Sequence, residues 1–162
     1  MPKVALIMGS KSDWPSLKGC VDVLKKFDIE VEVHVASAHR TPETVASFAA
    51  NARENGFEVI IAAAGKAAHL AGVIAGHTTL PVIGIPVKSS FMDGLDSLLS
   101  TVQMPTGIPV ATVAVGGGDN AAYLAAQMLS IKYPILAEKL LAHREQMAAA
   151  IEADDRQIQD EV

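Results

Sequence analysis

The 162-residue chain carries 13 Lys and Arg against 18 Asp and Glu; half of it is apolar and 19% is charged. That balance excludes wholesale disorder, is enough for a self-supporting core, and argues against a protein that grips nucleic acid by neutralising phosphates. The single cysteine, Cys20, excludes an internal disulfide and a cysteine-built zinc cluster.

The first apolar run ends at Met8, where Gly9-Ser10-Lys11-Ser12-Asp13 breaks it, too short for a signal peptide. No run approaches the roughly eighteen apolar residues of a transmembrane span, so a cytoplasmic protein is expected. Lys3–Met8 reads as a buried strand and Asp13–Phe27 as a helix, with Asp13 as N-cap, Pro15 in the first turn, and Trp14, Leu17, Val21 and Leu24 at helical spacing. Glu30–Val35 alternates Val31, Val33 and Val35 with Glu30, Glu32 and His34, the period of a half-buried edge strand. Thr41-Pro42 opens a second helix that Gly56 stops, with Val45, Phe48, Ala49 and Ala52 as its buried stripe.

Val59–Ala64, Pro81–Ile85 and Val110–Val115 complete a set of five strands. Between and after them fall helices over Ala67–His77, Leu95–Val102 and Asn120–Ser130, the last capped by Asp119. Strands alternating with helices mean a parallel sheet covered on both faces. The expected fold is α/β: a doubly wound, flavodoxin-like three-layer domain with strand order 2-1-3-4-5 over residues 1–134. Residues 135–162 make an extra C-terminal helix, Ile135–Ile151, and a charged tail. Its stripe of Ile135, Leu136, Leu140, Leu141, Met147 and Ile151 can pack on its own domain or, as favoured, on a neighbouring subunit. The fifth strand, apolar on both faces at a sheet edge, also wants a cover, and a homo-oligomer is expected.

Ligands of such sheets bind beyond the carboxyl ends of the strands, where the strand order reverses. Three polar segments fall there. Gly9-Ser10-x-Ser12-Asp13 offers a close backbone approach, two hydroxyls and a carboxylate, suited to a phosphate or a ribose diol or else to capping a helix. Ser37-Ala38-His39-Arg40 places a guanidinium fork and an imidazole together before a helix start, fit for phosphate binding and proton transfer. Gly65-Lys66-Ala67-Ala68-His69 lets a ligand lie against the backbone, with His69 as an anchor for a carboxylate; Lys66 either points outward or reaches an anion. His34 reads as solvated, His77 and His143 as surface or interface residues, and Cys20 as structural. No histidine pair has metal spacing, so no metal is expected. Gln103–Pro109 and Gly116–Ala122 read either as chain reversal and capping or as a further site or interface.

Four segments, Met8–Asp13, Ser37–Pro42, Ala67–Leu70 and Gly94–Pro105 with its Asp96-Ser97-Leu98-x-Ser100-x-Val102-Gln103-Met104 pattern, together resemble the N5-carboxyaminoimidazole ribonucleotide mutase family of purine synthesis. The resemblance implies a homo-octamer with sites where subunits meet, and a cofactor-free transfer of carboxylate from N5 to C4 of aminoimidazole ribonucleotide. It implies His39 as catalytic residue and Ser10, Asp13 and Arg40 as substrate-binding residues. Ser37, Gly65, His69 and Leu70 match positions around the bound nucleotide and carboxylate, and Gly9, Ser12, Ala38 and Lys66, on the same strand-end loops, complete the expected pocket. Lys66 stands where the family pattern has glycine, and Ala71 replaces a common proline. The competing readings are an aminoimidazole ribonucleotide carboxylase using free CO2 and, more remotely, a non-enzymatic flavodoxin-like binding module. The expected partner is a phosphorylated small molecule, with no nucleic acid and no membrane.

Overall fold

The apolar runs lie side by side in the computed structural model, which describes residues 1–162. Strands β1 (Lys3–Met8), β2 (Glu30–Val35), β3 (Val59–Gly65), β4 (Val82–Val87) and β5 (Ala111–Thr112) form one parallel sheet in the order β2-β1-β3-β4-β5. The two-residue period of the central strands splits their side chains between two cores. Val4, Leu6, Met8, Val59, Ile61, Ala63, Ile83 and Ile85 meet α1 (Trp14–Lys26) and α5 (Gly118–Ser130) on one face. Ala5, Ile7, Ile60, Ala62 and Val82 meet α2 (Pro42–Asn51) and α3 (Leu70–His77) on the other, where α4 (Leu95–Val102) also packs. Each buried Leu or Ile contributes roughly 1.5–3 kcal/mol, so the central strands anchor the fold. Helices α1 and α5 touch so closely that a Cβ on Gly19 would lie 2.3 Å from Asp119 Oδ1.

The fold and strand order are those read from the sequence; several local features differ. The fifth strand shrinks from Val110–Val115 to two paired residues. Pro109 has no N–H to extend it backward, and Gly116, at φ 71°, turns the chain away beyond it. On β2 the apolar side is poorly covered, with Val33 38% and Val35 58% exposed, while the His34 side chain stays 41% exposed and leans on Phe48 at 5.1 Å. Helix α3 begins at Leu70, three residues later than expected, and β4 runs two residues further, to Val87. Asp13 and Asp119 make no side-chain capping bond. Ser10 caps a 3-10 turn (Lys11–Asp13) ahead of α1 instead, and Gly117 stands at the N-cap of α5.

The C-terminal helix α6 (Pro134–Glu161) absorbs the expected charged tail and is about 42 Å long at 1.5 Å per residue. Its first turns dock on the domain: Leu136 is buried, Leu140 packs on the α1–α5 core, and His143 stacks on Tyr123 at 4.8 Å. Leu141 on the outer side of these turns, and Met147, Ile151 and Ile158 beyond them, are all more than half exposed. No helix is long and apolar enough to cross a membrane.

Candidate active site

The chain leaves β1 toward β2 on one side and β3 on the other, so a crevice opens at the carboxyl ends of these strands. After β1, Gly9 donates its N–H to Ala63 O at 3.0 Å, keeping the loop close to β3. Ser10 Oγ accepts the Ser12 N–H at 3.3 Å and lies 2.9 Å from Ser12 Oγ, so both hydroxyls stand together at the start of the 3-10 turn. Asp13 follows with its carboxylate unused for capping. Burial holds its carboxyl above the ordinary aspartate range, against an opposing hydrogen bond from the Ser10 backbone.

The loop after β2 is folded by its own hydroxyls. Ser37 N–H donates to Thr41 Oγ1 at 2.9 Å, Thr41 N–H donates to Ser37 O at 2.8 Å, and Arg40 N–H donates to Ser37 Oγ at 3.1 Å. That turn sets His39 and Arg40 side by side. Arg40 reaches across to β1, donating from Nη2 to Gly9 O at 2.9 Å and from Nε to Ser37 Oγ at 3.4 Å. A guanidinium has five N–H donors, so the held group keeps others for an anion.

On the β3 side, a Cβ on Gly65 would lie 3.4 Å from Val87 O, so this wall is backbone. Lys66 then takes φ 56°, a left-handed conformation that an L side chain enters at a cost. It has no carboxylate within ion-pair distance, whereas Lys88 pairs with Asp93 at 3.3 Å. His69 turns back over the crevice and meets the β2 loop. Its Nδ1 lies 2.9 Å from His39 Nε2, with the rings edge to face at 84°. One nitrogen of that contact donates and the other accepts. While the bond holds, the pair therefore carries at most three ring protons, one positive charge in all.

All the residues expected at the site line one cavity of about 690 Å³: Gly9, Ser10, Ser12, Asp13, Ser37, Ala38, His39, Arg40, Gly65, Lys66, His69 and Leu70. The cavity also takes in Val87, Lys88, Ser89 and Ser90, which sequence reasoning missed. The signal was present but displaced. With β4 ended at Ile85, Lys88-Ser89-Ser90 fell outside the strand-end rule that would have found it. Gln103–Pro109 and Gly116–Ala122 line no part of this cavity. Cys20 lies deep in the α1–α5 core, its thiol pushed up to about 12 by burial and then by Asp119. No group of three or more His, Cys, Asp or Glu side chains is placed to hold a metal ion.

Known proteins are similar to this chain in sequence and fold. The family model described as AIR carboxylase matches residues 3–150. The N5-carboxyaminoimidazole ribonucleotide mutase of Pyrococcus abyssi is 58% identical over 147 residues, 91% of this chain and 84% of the relative. The chain belongs to the AIR carboxylase family, that of the N5-carboxyaminoimidazole ribonucleotide mutases. Another member, the mutase of Mycobacterium tuberculosis, is 52% identical over 98% of this chain and 91% of its own. Among solved structures of the family, Treponema denticola PurE superposes with a TM-score of 0.86 at 31% identity, covering 97% of this chain and 98% of that one. The family match extends through the first half of α6.

Proposed function

We propose that this protein is a mutase that moves the carboxylate of N5-carboxyaminoimidazole ribonucleotide to C4, giving 4-carboxy-5-aminoimidazole ribonucleotide, in cytoplasmic purine synthesis. The observation that carries the reading is the imidazole pair, His39 Nε2 to His69 Nδ1 at 2.9 Å, beside a guanidinium already held by Gly9 and Ser37. The 52–58% identity to relatives named for that mutase activity supports the same choice.

The chemistry needs one proton lent and returned. Arg40 and the Ser10–Ser12 hydroxyls receive the phosphate, and Asp13 receives the ribose diol. Their binding energy is spent on setting the ring against His39. Protonated His39 gives its proton to N5; the N5–carboxylate bond breaks, and CO2 and the free amine result. C4, the enamine-like carbon of the ring, attacks CO2, and neutral His39 takes the C4 proton, which restores aromaticity and the starting imidazolium. His69 holds the returning proton within the pair, and a closed crevice keeps CO2 from escaping.

The protein acts in this reading as a homo-octamer, with residues 1–134 as catalytic domain and the outer part of α6 packed on a neighbouring copy. Support comes from apolar side chains that one copy leaves uncovered, among them Val35, Phe91, Leu141 and Ile151, each 58–71% exposed. Light scattering coupled to size exclusion tests the assembly, and the mass of a single chain would overturn it.

The reaction is tested by supplying carboxyl-labelled N5 nucleotide in a pool of unlabelled bicarbonate. Label kept in the C4 product is the expected result. Complete dilution would replace the mutase by a carboxylase that works from free CO2, and no conversion would leave a binding module.

A further inference from the structure

Helix α4 is amphipathic the wrong way round. Leu95, Leu99 and Val102 are 45–47% exposed, whereas Ser97 and Thr101 are buried at 0% and 2%. Hydroxyls turned inward on a helix give up solvation and need partners, and here those partners are carbonyls of the helix and its cap together with the loops that build the crevice. Ser97 Oγ lies 2.8 Å from Val87 O, at the end of β4. The Asp96 carboxylate accepts from Ser89 Oγ at 2.8 Å. Ser100 Oγ accepts the Ala68 N–H at 2.9 Å and stands 3.2 Å from Lys66 O, while its own proton has Asp96 O at 2.8 Å. Thr101 Oγ1 donates to Ser97 O at 2.7 Å and comes within 3.4 Å of Ala68 O. The helix can come this close because β4 offers Gly84, where a Cβ would lie 2.5 Å from Thr101 Cγ2.

Ala68 is buried, and it immediately precedes His69. Both polar groups of its backbone therefore face adjacent hydroxyls of one helix. The His69 ring makes a single hydrogen bond, to His39 Nε2. With nothing else gripping the ring, the backbone before it sets where the ring stands. We infer that Ser100 is a positioning residue for the histidine pair: by holding the Ala68 N–H it fixes the backbone from which His69 meets His39. This inference rests on the proposed reaction for its consequence in turnover but not for its geometry.

Two measurements on the intact oligomer test it. Nitrogen NMR of histidine-labelled protein reads the His39–His69 hydrogen bond without any substrate. Ser100→Ala is expected to shift the His69 Nδ1 resonance and weaken its coupling to His39. Ser100→Cys, close in size but a poor acceptor, is expected to shift it in the same direction, and serves alone if the alanine variant does not fold. Tyr133→Phe, at the opposite end of the sheet, is expected to leave that resonance in place. An unchanged Nδ1 resonance in a folded Ser100 variant would overturn the inference.

In turnover, Ser100→Ala is expected to lower kcat about tenfold with KM within threefold. The same change in a His69→Asn background is expected to cost less than twofold, because Ser100 acts through His69. Equal losses in both backgrounds would make Ser100 a general structural residue. If the parent protein fails to convert the carboxylated nucleotide, the proposed reaction falls while the resonance test still stands.

Discussion

Replacing His39 by Asn removes an imidazole from an exposed loop where its only side-chain partner is His69. The loop is folded by Ser37 and Thr41, and Arg40 is held by Gly9 O and Ser37 Oγ, so none of these bonds passes through His39. Stability should therefore stay within about 0.5 kcal/mol of the parent. Nucleotide affinity should stay within about threefold, since the phosphate and ribose contacts are assigned to Arg40, Ser10 and Asp13. Turnover is different, because asparagine can neither give the N5 proton nor take the C4 proton. General acid–base catalysis is worth roughly 10²–10⁴-fold, which is about 2.7–5.4 kcal/mol of barrier at 1.36 kcal/mol per decade. Steady-state kinetics with the carboxylated nucleotide, paired with calorimetric binding, should show kcat falling by that factor at nearly constant affinity. A His69→Asn variant should fall less, since it removes a partner of the proton carrier and not the carrier. A dead His69 variant beside a His39 variant within threefold of the parent would reverse the two roles. A His39 variant unable to bind nucleotide would make that residue an anchor.

Arg40→Ala should cost about 2–5 kcal/mol of nucleotide affinity but little for the dephosphorylated nucleoside; calorimetry that finds equal losses would remove Arg40 from the phosphate site. Lys66→Gly should raise stability by about 0.5–1 kcal/mol, because glycine adopts φ 56° without the Cβ penalty, seen as a higher urea midpoint that Lys66→Ala does not share. A lower midpoint would mean that the lysine side chain stabilises more than its backbone strains. Burial pushes the Glu58 carboxyl upward, but the hydrogen bonds from Lys132 and Tyr133 outweigh it and hold the group below the ordinary glutamate range. Its stabilisation is thus present above that range and lost as pH falls through the depressed value. Tyr133→Phe should destabilise by about 1 kcal/mol near neutrality, with the difference closing in acid; a pH-independent difference in denaturation midpoint would refute the link.

Much of this protein is written in its chain locally. Val4–Met8 and Val59–Ala63 are continuous apolar runs, and only strands buried on both faces of a parallel sheet use them fully. Turn residues at Gly9, Pro42 and Gly56 separate the elements, and the alternation along Glu30–Val35 marks an edge. The strand-end rule then brings His39, Arg40 and His69 to one crevice before any distance is known.

What the chain does not disclose locally depends on neighbours distant in sequence. The 2.9 Å meeting of His39 with His69 spans two loops on different strands, so no spacing encodes it. Asp13 and Asp119 look like caps by residue type, but Ser10 caps the turn before α1, and Asp119 packs against Gly19. The length of β5 depends on how far β4 can be followed past Pro109 and Gly116. The inward hydroxyls of α4 contradict helical hydrophobic patterning, because loop backbones at the ends of β3 and β4 need hydrogen-bond partners there. Periodicity reports which face of an element is buried; it carries no information about which backbone groups that face must satisfy. Tertiary packing alone settled those.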